Sequence, residues 1–142
     1  MAAANQRNIM TETTEDLEKK IDTIKARSHS VGARDYLGKE VEIIIDRPLG
    51  SKHPKHDIVY GVNYGFVPNT MSADGEEIDA YLLGESQPVS SASGKCVAII
   101  RRTDDDDDKL VIAANGHDEF TDAEIIEQTH FQEKYFKSII IR

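Results

Sequence analysis

Ile58-Val59-Tyr60-Gly61-Val62-Asn63-Tyr64-Gly65-Phe66-Val67-Pro68-Asn69 is followed, after a polar gap, by Ile78-Asp79-Ala80-Tyr81-Leu82-Leu83. Short apolar and aromatic runs cut by glycine and closed by Pro-Asn are strand-and-turn signals, so Ile58–Tyr60, Tyr64–Val67 and Ile78–Leu83 are read as strands. Working outward, Val41-Glu42-Ile43-Ile44-Ile45 is a buried strand stopped by Asp46-Arg47-Pro48-Leu49-Gly50. Lys95 to Arg102 and Lys109 to Ala113 are two further strands that bracket the aspartates Asp104 to Asp108. Phe120-Thr121-Asp122-Ala123-Glu124-Ile125 then opens a helix. Thr121 is its N-cap, Glu124 completes a capping box, and Phe120 with Ile125 makes a hydrophobic staple. That helix is expected to reach about Lys137, with Ser138 to Ile141 as a terminal strand. Residues 1–12 carry no apolar period and read as a disordered leader. Thr13 to Arg27 reads as a helix whose Leu17, Ile21 and Ile24 form one narrow stripe. Short strands followed by a late helix predict a small β-barrel with helices packed outside, a single domain over 13–142.

Composition bounds what such a domain can do. A chain of 142 residues, 39% hydrophobic and 30% charged, suffices for one core and a wet surface. Acidic residues outnumber Lys and Arg by 26 to 17, a net charge of −9, which disfavours diffuse nucleic-acid binding. No run approaches the roughly 20 apolar residues of a membrane span, and no signal peptide is legible at the start. The lone Cys96 cannot form an internal disulfide and reads as a small buried hydrophobe, as suits a reducing cytoplasm. An acidic protein that works on an anion needs bound cations to reverse the local field.

The carboxylates carry the chemistry. Asp74-Gly75-Glu76-Glu77-Ile78-Asp79 puts an acid inside a strand, where alternation places Asp79 on one face with Glu77 and Tyr81. A carboxylate so placed requires a cation or a hydrogen-bond partner, unless the segment is simply a solvated acidic turn. The aspartate run before Lys109 reads either as a solvated hairpin loop or as a loop organised by divalent ions. Hard oxygen donors without cysteine suit Mg²⁺ or Mn²⁺ rather than structural zinc. His53 and His56, spaced around Pro54, are better read as hydrogen-bonded or solvent-facing than as a zinc pair. No nucleophile elbow, P-loop or dinucleotide fingerprint is present. Two acidic clusters with Lys, Arg and Tyr therefore suggest a multi-metal phosphate site.

Tyr60 to Thr70 leading into Asp74–Asp79 resembles the soluble inorganic pyrophosphatases of the first family. Thr103-Asp104 with Asp107-Asp108-Lys109-Leu110-Val111 resembles that family's second acidic loop, and His130 to Tyr135 its late helix. The resemblance covers roughly residues 39–142. It implies a mostly β (α+β) fold, a five-stranded OB-like closed barrel with helices; with the helix read over 13–27, that makes an N-terminal helix and one or two packed helices around the barrel. It also implies Mg²⁺-dependent hydrolysis of pyrophosphate to two phosphates, with Mn²⁺ as a possible substitute. Asp74, Asp79 and Asp107 match its metal ligands, Asp104 a further metal-binding acid, and Glu42 its first Glu. Lys109, Tyr64 and Tyr135 match phosphate-site residues, and either Arg47 or Lys52 supplies an Arg-type phosphate contact. Glu76 stands where the family has the Asp associated with the attacking water. Phe136 replaces a paired Lys and leaves Lys137 one residue late. The resemblance further implies a homo-oligomer, with the stripe on residues 17–24 as a contact. Two alternatives stay open: a relative acting on another phosphoanhydride, and a catalytically silent OB-type binding module.

Overall fold

Glu40-Val41-Glu42-Ile43-Ile44-Ile45-Asp46-Arg47 forms β1 (Glu40–Arg47), and its side chains alternate as a strand with one buried face must. Val41, Ile43 and Ile45 turn inward, while Glu40, Glu42 and Ile44 stay exposed. The computed structural model describes residues 32–71, 75–104, 107–117 and 119–142. The expected leader and the expected helix over 13–27, together with Asp74, Asp105 and Asp106, lie outside the described residues.

After a short 3-10 turn at Ala33–Tyr36 and β1 come β2 (Asn63–Val67), β3 (Ile78–Leu83), β4 (Ser91–Arg102), β5 (Asp108–Ala114), helix α1 (Asp122–Glu133) and β6 (Ser138–Ile141). The strands run β1-β2-β3-β5-β4 and β4 pairs back onto β1, so five strands close a ring. Only the β3–β5 pairing is parallel among them. This is the five-stranded, OB-like barrel that the resemblance implied. Closure removes exposed sheet edges, and β6 lies along the far half of β4 instead of entering the ring.

Two bulges shape the barrel. In β4 the register against β5 shifts between Cys96 and Ala98, which bends a strand long enough to serve β1 with one half and β6 with the other. In β1 it shifts between Ile45 and Arg47, so Asp46 is the extra residue and both Asp46 and Arg47 reach the same cleft. Gly65 of β2 crosses β1 so closely that an added Cβ would collide with the Ile44 carbonyl; only glycine permits that crossing.

The strands bury two faces. Inside the ring, Val41, Ile43, Ile45, Ala80, Leu82, Cys96, Leu110 and Ile112 form the barrel core. Outside it, Tyr60, Tyr64, Tyr81, Leu83, Ala98, Ile100 and Val111 pack with Ile125 of α1. Burial on both sides explains why β3 and β5 read as nearly continuous apolar runs. The capping box forms as expected: the Glu124 amide donates to Thr121 Oγ1 at 3.1 Å and the Thr121 amide to Glu124 Oε1 at 2.8 Å. Phe120 packs on the cluster that holds the fully buried Ile125, the staple's contact. Three expectations differ. The strand expected at Lys95 to Arg102 begins four residues earlier, at Ser91, and the added half pairs with β1. The helix stops at Glu133 with Lys134 as its C-cap, earlier than Lys137. Ile58–Tyr60 is not a ladder strand: Val59 makes a single bridge to Lys52, and the segment returns from the loop that β1 leads into. Asn63, fully buried, ties that loop down by accepting from the Leu49 and Val89 amides and donating to the Gln87 carbonyl.

Candidate active site

Parallel pairing sets Asp79 of β3 beside Lys109 of β5. Both belong to the row that faces outward toward α1, as Asp79's alternation with Tyr81 required. Lys109 Nζ donates to Asp79 Oδ2 at 2.8 Å and to Asp107 Oδ2 at 3.0 Å. The ammonium is buried, while the Asp79 and Asp107 side chains are 37% and 21% exposed. One lysine thus gathers two carboxylates whose mutual repulsion would otherwise spread them. The Arg102 amide donates to the Asp107 carbonyl at 2.9 Å and Arg101 holds Asp108 through two 2.9 Å bonds. These contacts brace the end of the β4–β5 hairpin, so Asp107 is presented from a rigid base.

An open cleft of about 720 Å³ surrounds this cluster. Its wall is made by Asp79, Asp107, Lys109 and Arg102, by Asp46, Arg47, His53, His56, Asp57 and Ile58, and by Tyr60, Tyr64, Gln132, Tyr135 and Phe136. The Tyr64 ring packs 4.8 Å from Tyr81, and Lys109 Nζ lies 5.5 Å from the Tyr64 centroid. Burial pushes the Tyr64 phenol well above the ordinary tyrosine range, and the charge of Asp79 and a hydrogen bond to it act in the same direction. Tyr64 is therefore a donor throughout the neutral range. Burial also raises the Asp107 carboxyl above its ordinary range, opposed by Lys109 and helped by Asp79. His53 Nδ1 accepts the amides of Lys55 and His56 at 3.0 and 3.2 Å, the hydrogen-bonded state expected for it.

The fold brings together six of the residues singled out from sequence: Asp79, Asp107, Lys109, Tyr64, Arg47 and Tyr135. Others stand apart from the cleft wall. Glu42 points outward from β1 opposite Ser93, and Lys52 is exposed in the loop beyond β1. Glu76 is exposed in the turn before β3. Asp104 accepts the Lys137 backbone amide at 3.3 Å, and Lys137 is exposed. Asp74 lies outside the described residues.

Arg102 and Glu133 are not among the residues that the sequence pattern marks as functional. Arg102 Nε and Nη2 donate to Glu133 Oε1 and Oε2 at 3.2 and 2.9 Å, and the Tyr81 hydroxyl donates to Glu133 Oε2 at 2.5 Å. The alternation of Ala98, Ile100 and Arg102 along β4 was the available signal, since it sets Arg102 on the α1 face. Its partner across the helix had no local mark.

The profile of the inorganic pyrophosphatase family matches residues 9–140. The chain belongs to the inorganic pyrophosphatase family. An inorganic pyrophosphatase 1 of Pseudomonas syringae pv. tomato is 36% identical over 92 residues, 54% of this chain and 52% of that protein. One from Rickettsia typhi is 28% identical over 96 residues, 56% and 49%. The chain thus spans about half the length of the curated relatives it matches. Among solved structures, the inorganic pyrophosphatase of Ehrlichia chaffeensis superposes with a TM-score of 0.58 at 20% identity, over 77% of this chain and 87% of that one. That of Neisseria gonorrhoeae gives 0.57 at 20% identity, over 69% and 74%. These likenesses concern the fold.

Inorganic pyrophosphatases are generally metal-dependent, and the donors present in this chain bear on whether a metal fits here. Among the described residues no group of three His, Cys, Asp or Glu side chains is disposed around one point. Asp79 and Asp107 do converge, and the cation between them is the Lys109 ammonium. Two hard carboxylate donors at one point fit part of a Mg²⁺ site and would not fit a soft metal.

Proposed function

We propose that this protein hydrolyses inorganic pyrophosphate to two phosphates in the cleft above β3 and β5, with Mg²⁺ as cofactor. The observation that carries the reading is the convergence of Asp79 and Asp107 on Lys109, in a polar cleft that also holds Arg47 and Tyr64. Asp79 and Asp107, with Asp74, would hold the metal. A bound Mg²⁺ would supply positive charge against the phosphate oxygens and would lower the pKa of water held there.

The chain's own residues do the rest. Lys109 stands against the carboxylates as a fixed cation and is placed to bond a phosphate oxygen as charge develops there. Arg47 offers a planar fork suited to the second phosphate. The Tyr64 hydroxyl, kept protonated by burial and Asp79, donates a hydrogen bond and does not compete as an anion. Tyr135 lines the cleft on the α1 side. Nothing in this wall requires Glu76, so its role as proton acceptor for the attacking water is a separable part of the proposal.

Phosphate release from pyrophosphate with Mg²⁺ tests the whole reading. Turnover is expected to vanish with chelator and to fall by at least about 10²-fold in Asp79→Asn, Asp107→Asn and Lys109→Met, the scale of one electrostatic or acid-base contribution. Release from tripolyphosphate or a nucleoside diphosphate, with none from pyrophosphate, would move the reading to another phosphoanhydride. No release from any of them would overturn it. A Glu76→Gln variant with the parent's kcat removes Glu76 from the mechanism and leaves the remainder standing.

A further inference from the structure

Arg102 ends β4 on the face that also carries Ala98 and Ile100, so its side chain leaves the barrel beneath α1. Its guanidinium is held from several directions. Nε and Nη2 are engaged by Glu133, the Phe136 ring lies against it with 3.6 Å from centroid to Cζ, and Nη1 stands 3.6 Å from Asp107 Oδ2. Behind Glu133 the bonding continues. Gln132 Nε2 donates to the Tyr81 hydroxyl at 2.7 Å, and the Tyr60 hydroxyl donates to Gln132 Oε1 at 3.2 Å. Arg102, Glu133 and Gln132 are 6%, 7% and 9% exposed.

Stability does not account for this network. Well-packed apolar residues of the same volume hold a core as firmly as a buried ion pair, often more firmly. What the network achieves is a single orientation for one cation. A guanidinium anchored along its Nε–Nη2 edge and stacked on a ring has little rotamer freedom, so the direction of Nη1 is set in advance. That direction is the corner where Lys109 Nζ also meets Asp107 Oδ2, and Arg102 is part of the cleft wall there. By contrast Lys137, one of the cations considered for the substrate, is exposed and not part of the wall.

We propose that Arg102 is a substrate-binding residue: the Nη1 side of its guanidinium takes an oxygen of the phosphoanhydride, and Glu133 and Phe136 are the positioning residues that aim it. This rests on the phosphoanhydride reading above. Arg102 lines the cleft beside Lys109, so a phosphate oxygen entering the corner comes within reach of a charge-assisted hydrogen bond from the guanidinium. Lys109 and Arg102 then flank the same oxygen-rich group, one as a point charge and the other as a planar donor.

Calorimetric binding of imidodiphosphate with Mg²⁺ tests this on folded protein, beside KM for pyrophosphate and the affinity for Mg²⁺ alone. Arg102→Met is expected to weaken analogue binding and raise KM by about tenfold or more, with Mg²⁺ affinity no lower than the parent's, since a charge-assisted substrate contact is lost and no metal ligand is. Arg102→Lys keeps the charge without the fork and should fall between. Glu133→Gln should raise KM while lowering kcat little. A purely structural Arg102 would lower the melting temperature and leave analogue affinity of the folded protein unchanged; that result overturns the proposal. Should Arg102→Met fail to fold, Arg102→Lys decides by the same criterion. A parent that binds the analogue without hydrolysing pyrophosphate defeats the hydrolysis reading and leaves Arg102 testable, whereas a parent that does not bind it overturns the Arg102 assignment too.

Discussion

Replacing Lys109 by Met asks what holds two acids together. The ammonium is 3% exposed and bonds Asp79 at 2.8 Å and Asp107 at 3.0 Å. Removing one partner of a fully buried pair costs about 3–5 kcal/mol. Here the cost is smaller, because Asp79 is 37% exposed, Asp107 is 21% exposed and Arg102 stays 3.6 Å from Asp107. Water can reach both orphaned carboxylates, and about 2 kcal/mol is the reasoned value. At about 4 °C per kcal/mol for a domain of this size, the melting temperature in chelator should fall by about 8 °C. Mg²⁺ should reverse this. An ion at a hundred times its dissociation constant stabilises by about 2.7 kcal/mol, and the variant offers it two carboxylates without their lysine. The assay is a thermal melt in chelator and in Mg²⁺ at matched ionic strength, with exposed Lys55→Met as a charge control. Equal melting temperatures in chelator, or a Mg²⁺ response no larger than the parent's, would refute the reasoning.

Three other expectations are independent of this one. Burial raises the Asp107 carboxyl, so the folded protein keeps that proton to higher pH than the unfolded chain does. Its contribution is complete below the unfolded value of about 3.9 and is lost as pH rises through the folded value, so without divalent ions Asp107→Asn should gain on the parent from about pH 4 upward; a pH-independent difference in unfolding free energy would count against it. The Cys96 thiol is fully buried and pushed up to about 11, so a thiol reagent at pH 8 should label it only in denaturant, and rapid native labelling would contradict the burial. Gly65→Ala would drive a methyl into the Ile44 carbonyl, a backbone clash that should cost at least about 3 kcal/mol; a melt within about 2 °C of the parent would show that β1 and β2 do not cross there as described.

Local pattern alone was enough for β1, β2, β3, β5, β6, the second half of β4 and the start of α1, while the half of β4 that closes the ring on β1, Ser91 to Gly94, lies before the strand that the pattern marked. Period-two alternation, glycine and proline stops and a capping box act within a few residues, so they are written in the chain where they operate. The same logic put Asp79 on the Tyr81 face and required it to have a partner. Which partner it has was decided by the parallel β3–β5 register, a pairing between segments joined through β4. Tertiary structure also separated residues that looked alike on paper. Arg47 reaches the cleft because a bulge at Asp46 turns it there, while Glu42 and Lys52 are exposed and are not part of its wall. Arg102 ends an apolar strand and gives no local sign of function. Its role depends on Glu133 and Phe136 arriving from α1 and the turn after it, and no spacing within β4 could encode a contact made across the outer face of a closed barrel.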